Sequence, residues 1–471
     1  MERTLLSLLL VVAIVSPAHA FRNHYRQHGR HAFTSSAIDD MIPKPLSTTN
    51  SIRGSPMPGE YVVTDYGAVG DNSTDNTAAF AKALAAANDT AGGIVFVPPG
   101  SYRFTGQLVI PTAVTLQGSF TTVPSHDAKA GHYPVDGTVL IPLADRNNEA
   151  GKPFITVGRD STLAGVVIWH VEQGRFEPPV PYPFAVALVD ENAAVKDVEI
   201  LNSWNGISAV AAHRHYIARI QGQPINIGVY IDETYDIGRI EDVHFNPWWS
   251  SDVNFMYWQT TFGRSFVMGR SDWEYVFNTF SFAYAIGYHF VETSTGSMNG
   301  NFLGIGTDYA CNASVQVDAS QLAGLLITNG EFTAFHNTLE QHPQRLDLIA
   351  FDACDNTQVV VGKDNTGPVN FVDCSFWGPA NHIARLAGNG VTTFNSCEFN
   401  GWDYLNTNQS AIYASGGTLI VQGTNFNENK PQVELEATVD KVIFLGNVGV
   451  GSENIINHGV KQVQSGFNAF D

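Results

Sequence analysis

The sequence predicts an all-β solenoid, and three observations support this prediction. Short apolar strands follow one another from about Val109 onward, separated by Gly, Asn, Asp or Pro. Similar elements recur about every twenty to thirty residues, which is typical of solenoids and too long for a sandwich. No helices alternate with these strands, and this excludes a barrel of βα units.

The stretch 61–118 is interpreted as one winding unit. It contains a β-prone run, a Gly-rich turn, a helix of about three turns, a buried strand and a Pro-Pro-Gly turn before two further strands. Phe80 and Leu84 lie on one face of the helix. A helix laid over the end of a solenoid would cover unpaired strand edges. The polar residues around it are therefore interpreted as turn and cap residues: Asp71, Thr74, Asp75 and Asn76.

Three motifs of this stretch carry a resemblance to a known family. The Asp65–Asp71 run, the Thr74–Thr77 run and the Val97–Tyr102 run resemble the opening of the pectate-lyase-like single-stranded right-handed β-helix proteins. The resemblance implies a right-handed parallel β-helix with a short N-terminal capping helix. Residues 59–471 would form one domain, with 59–118 as cap and first coil. The superfamily includes glycoside hydrolases, polysaccharide lyases and phage tailspikes, so the reaction stays open.

The N-terminus predicts secretion. Residues 1–20 have the charged start, apolar core and Ala-His-Ala ending of a signal peptide. Residues 21–58 are predicted to be a disordered or loosely docked leader, with a His-rich metal site as the alternative. No later apolar run is long enough to span a bilayer, so no membrane partner is expected. Four sequons are candidate N-glycosylation sites in a eukaryotic host: Asn72, Asn88, Asn312 and Asn408.

The net charge of −20 restricts the partners. It argues against nucleic acid and anionic membranes. It also disfavours a polyuronate, because a polyanion would need a basic cleft. A neutral or weakly charged polysaccharide is the expected partner, although the charge could also serve only solubility.

The C-terminal coils, 325–450, are predicted to be the most regular part of the domain. A Phe preceded by a small residue two positions earlier recurs at Phe332, Phe376, Phe399 and Phe426, and these rings should form an internal ladder. The four Cys residues allow one or two disulfides. A ladder of buried thiols is the alternative, with Cys374 and Cys397 at equivalent positions and Cys354 one coil earlier. The fourth Cys is Cys311.

Residues 225–310 depart from the rhythm and are predicted to be a long-loop insertion that forms a groove. Half of the eight Trp residues lie here, and sugars stack on aromatic rings. A satellite core built from the same aromatics is the alternative. The candidate substrate-binding residues are Trp248, Trp249, Trp258, Trp273, Tyr275 and Arg270.

Glycoside hydrolysis needs two carboxyl groups, and this segment supplies candidates. Asp272 and Glu274 stand two apart, which on a strand places them on one face. A neighbouring coil could supply Asp232 or Glu233. These four are the candidate catalytic residues, chosen from a wider set that includes Asp236, Glu292 and Asp308.

The predicted function is a secreted carbohydrate-active protein, with a two-carboxylate glycoside hydrolase first. The signatures of polygalacturonase-type relatives do not occur, which disfavours pectin hydrolysis. A non-enzymatic matrix or wall protein that binds glycan or mineral is one alternative. A polysaccharide lyase is the second, in which Arg264 or Arg270 could act beside the acids and Ca²⁺ could be required. No metal site or other cofactor is predicted, and the oligomeric state stays open.

Overall fold

The computed structural model describes residues 59–127, 136–334 and 354–471. The chain divides into two units, Met1–Ser55 and Pro56–Asp471, and all described residues belong to the second. The signal peptide and the leader predicted for 1–58 lie outside the described residues.

The described residues form a parallel β-helix, which confirms the predicted fold class. Every named strand pairs in parallel with the equivalent strand of the next coil, and the strands assemble into a long sheet of 25 strands and a short sheet of 13. The long sheet has two segments that meet at a bend. In the middle of the molecule single strands run through both segments. Towards either end the segments are separate strands.

The first segment consists of β1 (Glu60–Val62), β3 (Gly93–Phe96), β6 (Val114–Gln117), β9 (Thr162–Ala164), β22 (Leu325–Thr328), β25 (Val369–Val372), β28 (Val391–Asn395), β31 (Thr418–Gln422), β34 (Lys441–Leu445) and β37 (Val463–Gly466). The second consists of β2 (Asp71–Asp75), β4 (Gly100–Phe104), β7 (Thr138–Pro142), β10 (Val167–Ile168), β23 (Glu331–Ala334), β26 (Ser375–Trp377), β29 (Glu398–Phe399), β32 (Asn425–Phe426), β35 (Val448–Gly449) and β38 (Ala469–Phe470). The strands that cross both are β12 (Ala194–Ile200), β14 (Tyr216–Gly222), β16 (Arg239–Phe245), β18 (Glu274–Phe282) and β20 (Gly300–Ala310).

The short sheet consists of β5 (Leu108–Ile110), β8 (Ile155–Val157), β11 (Phe184–Glu191), β13 (Asn205–His213), β15 (Ile227–Asp232), β17 (Arg264–Met268), β19 (Ile286–Phe290), β21 (Ala313–Val317), β24 (Thr357–Val361), β27 (His382–Leu386), β30 (Ile412–Ala414), β33 (Val433–Leu435) and β36 (Ile455–Asn457). Each coil passes through the first segment, the second segment and the short sheet in that order.

The bend between the two segments is one residue wide in most coils, and that residue has left-handed φ. From β12 to β28 the position is held by Asp197, Arg219, Asp242, Asn278, Gly304, Asn329, Asp373 and Ser396. Most of these residue types tolerate left-handed φ at little cost, because Gly has no Cβ and Asn or Asp can hydrogen-bond locally. Arg219 does not share that tolerance, but its guanidinium donates to both carboxylate oxygens of Asp197, at 2.6 and 2.8 Å.

Helix α1 (Thr77–Asp89) lies at the N-terminal end of the coil, as predicted. It buries Phe80 and Leu84, and Phe80 packs edge-on against Tyr102 and Phe104. Asp75 accepts hydrogen bonds from Thr77 and Thr105, and the buried Asn76 side chain holds Val69 and Thr74. Asp71 accepts from the backbone N–H groups of Ser73 and Thr74. These polar residues therefore organise the turn that precedes the helix.

The Phe ladder is confirmed in the C-terminal coils. Phe332, Phe376, Phe399 and Phe426 occupy one register column and are fully buried. Cys374 and Cys397 are buried free thiols. Cys354 does not belong to this column. It forms a disulfide with Cys311, since the chain before β24 returns to the start of β21.

The segment 225–310 is not one long insertion. It supplies β15–β20, all in register with their neighbours, because its outward aromatics alternate with buried apolar residues as strands require. The coil departs from regularity mainly at residues 246–263, where α2 (Val253–Phe262) is inserted between β16 and β17. Within the described residues no helix is both long and apolar enough to cross a membrane.

Candidate active site on the outer face of the short sheet

The outer face of the short sheet carries titratable side chains where strand alternation points residues away from the core. Val229, Phe266 and Tyr288 form an inward register column that is fully buried. The adjacent column points outward and contains Tyr230, Val267, His289 and Gln316 on successive strands. Connections on both sides flank this face: 169–183 and 246–263 on one edge, and 233–238, 269–273 and 291–299 on the other.

Tyr230 and Asp232 form a hydrogen-bonded pair at the end of β15. The Tyr230 hydroxyl donates to Asp232 Oδ2 at 3.1 Å. Burial, supported by the charge of Asp232, raises the pKa of Tyr230 to about 12. The phenol therefore remains protonated at neutral pH and can donate a proton.

Asp232 is ionised and tightly held. Its Oδ1 accepts hydrogen bonds from the backbone N–H groups of Glu233 and Arg270 and from the hydroxyls of Thr293 and Thr295. Burial opposes ionisation, but these hydrogen bonds hold the pKa of Asp232 below its ordinary value. Asp232, predicted as a catalytic acid or nucleophile, thus orients Tyr230. Glu233 follows with left-handed φ and a half-buried side chain.

Arg264 lies at the start of β17, on the strand next to Tyr230. Its positive charge acts on Tyr230, where it partly offsets the rise in the pKa of that phenol. It is half-exposed and forms no ion pair with any residue in the described ranges. An unpaired guanidinium on this face is suited to bind a carboxylate.

His289 and Asp318 form a second pair, two strands from Tyr230. His289 Nε2 lies 2.7 Å from Asp318 Oδ2. Burial opposes ionisation of Asp318, but hydrogen bonds from His289 and Gln316 lower its pKa. The contact with the carboxylate orients the imidazole ring through Nε2. The Nδ1 atom of His289 is buried and has no hydrogen-bond partner.

The turn 269–273 forms one rim of this face and contains several predicted residues. Arg270 pairs with Asp272 at 2.8 Å and lies over the Tyr235 ring, 5.5 Å from its centroid. Asp272 also accepts from Gln321 Nε2 at 2.7 Å. Trp273 follows with left-handed φ and a side chain that is 59% exposed. The Arg270 backbone N–H donates to Asp232, and Asp272 and Trp273 follow in the same turn. A shared function of these residues stays a prediction.

Glu274 does not share a face with Asp272. The left-handed Trp273 breaks the strand alternation, so that Asp272 lies outside the coil and Glu274 inside. Glu274 is fully buried, 3.0 Å from His215 Nε2, and accepts from Ser271 Oγ at 2.7 Å. Burial opposes the charge on His215, but Glu274 raises its pKa overall. The pair ties the rim to the coil and has no access to a substrate.

The predicted aromatic residues separate into three places. Trp249 and the partly buried Trp258 belong to a satellite core, in which Trp258 packs 5.0 Å from Trp204; this was the alternative to a groove. Trp248 packs with His244 on the outer face of the long sheet. Tyr275 is 42% exposed at the start of β18, also on the long sheet. They do not line one groove, because the connection 246–263 and the turn 269–273 lie at opposite ends of β17.

The predicted glycosylation sites differ in exposure. Asn72, Asn88 and Asn408 are exposed, whereas Asn312 is half-buried at the start of β21. Glycosylation at all four stays a prediction.

One group of three potential metal ligands occurs among the described residues. Glu434, Glu436 and His458 bring ligand atoms within 4.8 Å of one another. His458 lies 3.0 Å from Glu434, and Tyr413 donates to Glu436 at 3.0 Å. The group lies near the C-terminal end of the short sheet, away from Tyr230, so it is separate from the candidate active site.

Sequence reasoning missed Tyr230, His289 and Asp318 as site residues. Each lies on or just after a short strand whose inward positions are apolar, in the runs GVYID, GYHF and SVQVD. A search for polar outward residues on successive strands could have found them, once the coil register was known.

Comparison with known proteins finds similar sequences for the N-terminal part of the chain. Residues 61–160 match the family described as Rhamnogalacturonase A/epimerase, pectate lyase-like. Mannuronan C5-epimerase AlgE6 of Azotobacter vinelandii is 32% identical over 153 residues, which cover 30% of this chain and 16% of that protein. Rhamnogalacturonase A of Aspergillus niger is 38% identical over 79 residues, covering 17% and 16%. The chain thus spans about a sixth of each of these relatives.

The solved structures that match the chain are more distant in sequence. DFA-IIIase from Arthrobacter chlorophenolicus A6 has a TM-score of 0.49 at 10% identity, over 87% of this chain and 99% of that one. The A-module of Azotobacter vinelandii mannuronan C-5 epimerase AlgE4 has a TM-score of 0.43 at 12% identity, over 86% and 97%. Residues 61–160 are thus similar to the pectate-lyase-like family, and the described residues form the parallel β-helix that this resemblance implies.

Proposed function

We propose that this protein is a secreted enzyme that acts on an acidic polysaccharide by proton transfer at the carbon next to a uronate carboxylate. The outcome is elimination, as in a lyase, or inversion, as in a C5-epimerase. The predicted signal peptide and sequons support secretion.

The observation that carries the proposal is the combination of Tyr230, paired with Asp232, and the unpaired Arg264 on the neighbouring strand, whose charge acts on Tyr230. A cation that binds the substrate carboxylate stabilises the negative charge that develops there when the neighbouring C–H bond breaks. A phenol that stays protonated at neutral pH can then deliver a proton. Hydrolysis would instead need two carboxyl groups, one of them protonated.

The proposed step balances without a further reactant. A base takes the C5 proton, and the electron pair of that bond moves towards the carboxylate. In elimination the C4–O4 bond breaks, a C4–C5 double bond forms and O4 receives a proton. In epimerisation C5 receives a proton on the opposite face and no bond of the chain is cleaved.

Tyr230 is the proposed acid, and the pair His289–Asp318 lies in the same outward column two strands away. Asp318 orients the His289 ring through a contact with Nε2. Tyr230 and His289 are two strands apart, or roughly 10 Å along the coil axis, so a substrate lying along that axis passes both. Trp273 and Arg270 on the rim next to Asp232 would contact the neighbouring sugars.

The relatives support an acidic substrate. Their names include mannuronan epimerases, an alginate lyase and a rhamnogalacturonase. An acidic substrate differs from the neutral or weakly charged one expected from net charge, and the unpaired Arg264 provides local positive charge that the total of −20 conceals.

Product analysis tests the proposal. The purified mature protein is incubated with mannuronan, polygalacturonate, rhamnogalacturonan, a neutral β-glucan and a mannan. We expect ultraviolet absorbance from an unsaturated uronate, or deuterium incorporation at C5 in heavy water, with at least one acidic polymer. Reducing sugar released without unsaturation or exchange would favour the two-carboxylate hydrolase.

The matched variants are Tyr230→Phe and Tyr275→Phe. Loss of the proton donor should lower kcat/KM by about 10²- to 10⁴-fold, whereas the exposed Tyr275 on the long sheet should tolerate loss of its hydroxyl. Equal activity of the two variants would contradict the role of Tyr230. No product with any polymer would favour a binding protein.

A further inference from the structure

A second cleft lies on the outer face of the long sheet, away from the candidate active site. It has a volume of ≈ 360 Å³ and is formed by the second-segment halves of β18 and β20 together with β23 and β26. This volume is within the range of small-ligand sites. The residues that give it chemical character are Phe280, Glu331, Thr333 and Trp377.

The cleft exists because an outward position lacks a side chain. Phe280, Gly306 and Glu331 are register partners on successive strands. A Cβ added at Gly306 would lie 3.3 Å from Phe280 Cδ2, so any larger side chain would press against the Phe280 ring. Gly306 thus leaves a notch between an aromatic and an acidic residue.

Trp377 closes the other end of the notch and presents a flat ring. It is 43% exposed, and its Nε1 donates to Glu331 Oε1 at 3.2 Å. This hydrogen bond fixes the indole orientation. Phe280 and Trp377 are three strand spacings apart, about 14 Å, which makes the site elongated along the coil axis.

The negative charge of the cleft favours a neutral ligand over an anionic one. Glu331 and Asp308 line it, and among the described residues no Lys or Arg lines it. A polyanion such as the proposed catalytic substrate is therefore repelled here. Aromatic rings at the ends, with a carboxylate, a hydroxyl and amides between them, match the apolar faces and hydroxyl groups of neutral sugars.

We propose that this cleft is a binding site for a neutral oligosaccharide, separate from the candidate active site and independent of its chemistry. Trp377 stacks on one sugar ring and Phe280 contacts another, while Glu331 accepts hydrogen bonds from hydroxyl groups between them. The site holds the protein on a neutral glycan while the short sheet faces a different direction.

Calorimetric titration of the full chain with cellohexaose, laminarihexaose, mannohexaose and an oligomannuronate tests this proposal. We expect at least one neutral hexasaccharide to bind wild type and Tyr230→Phe equally. Trp377→Ala should weaken that binding by about tenfold or more through loss of stacking. Trp273→Ala removes a comparably exposed indole from the turn 269–273 beside the short sheet. This variant should bind the neutral hexasaccharide with the same affinity as wild type.

Two further variants sharpen the result. Gly306→Leu should block the notch and abolish binding. Glu331→Gln retains an acceptor for the indole N–H. The affinity of this variant for a neutral ligand should therefore stay within a few-fold of the wild-type affinity. Absence of binding by all neutral hexasaccharides, or equal affinity of Trp377→Ala and wild type, would overturn the proposal. These outcomes do not depend on any activity at Tyr230.

Discussion

The outer face of the short sheet and the outer face of the second segment of the long sheet are built by the same strand alternation but differ in chemistry. Around Tyr230, polar groups are linked by hydrogen bonds and accompanied by an unpaired Arg264. Around Trp377, aromatic rings and a carboxylate border a notch that no Lys or Arg of the described ranges lines. In a parallel coil, the outward residue at each position can change from one coil to the next without altering the buried residues. One fold can therefore carry a reactive face and a binding face.

The largest expected effect concerns the buried pair beneath the rim of the reactive face. Glu274→Gln leaves His215 without its charged partner in the interior, which should lower the free energy of unfolding by about 3–5 kcal/mol. Urea denaturation of wild type and Glu274→Gln measures this difference in the free energy of unfolding. Asp272→Asn, in a partly exposed pair, should cost no more than about 1 kcal/mol.

The same variant separates structure from catalysis. A folded Glu274→Gln variant should keep its affinity for the neutral glycan at Trp377. The pair His215–Glu274 lies beneath the turn 269–273, on the side of the short sheet, and not beneath the cleft on the long sheet. If Glu274→Gln retained full stability but lost activity, Glu274 would be catalytic, as the sequence predicted.

The next effect distinguishes the two faces by charge. Arg264→Gln should raise KM for an acidic polysaccharide by roughly tenfold, because the proposed anchor for the carboxylate is lost. Arg239→Gln removes an exposed cation from an outward position on the long sheet and should leave KM unchanged. Steady-state kinetics at low ionic strength measures both, and equal effects would indicate general attraction instead of a specific contact.

The smallest effect is a pH dependence of stability on the reactive face. The folded-state pKa of Asp318 is lowered, so its contribution to stability is complete above the ordinary Asp value and is lost as pH falls through the lowered value. Because Asp318 is partly exposed, this contribution should be no more than about 1 kcal/mol.

Urea midpoints of wild type and Asp318→Asn should therefore differ at neutral pH and converge in strong acid. Gln316→Leu removes one of the two hydrogen bonds to Asp318 and should reproduce part of the difference. A difference that grew on acidification would reverse the assigned direction of the shift.

The sequence was sufficient to predict the coil and insufficient to predict the site. Phe332 and Phe376 could be placed in one column, because a repeated inward residue leaves a period that is independent of contacts. Asp272 and Glu274 could not be assigned to opposite sides, because that depends on the left-handed φ of Trp273. His289 and Tyr230 are far apart in sequence, and only the register of the short sheet brings them to one column.

The one-residue bend of the long sheet has a consequence for how such a protein can diversify. A residue inserted at Asp242 or Asn278 would shift the following segment by one position and turn its buried side chains towards solvent. Insertions can be accommodated at the other two corners of the coil, where 246–263 already contains a helix. Transplanting corner loops between relatives is therefore the practical route to new specificities, and the bend is the position that such engineering should leave untouched.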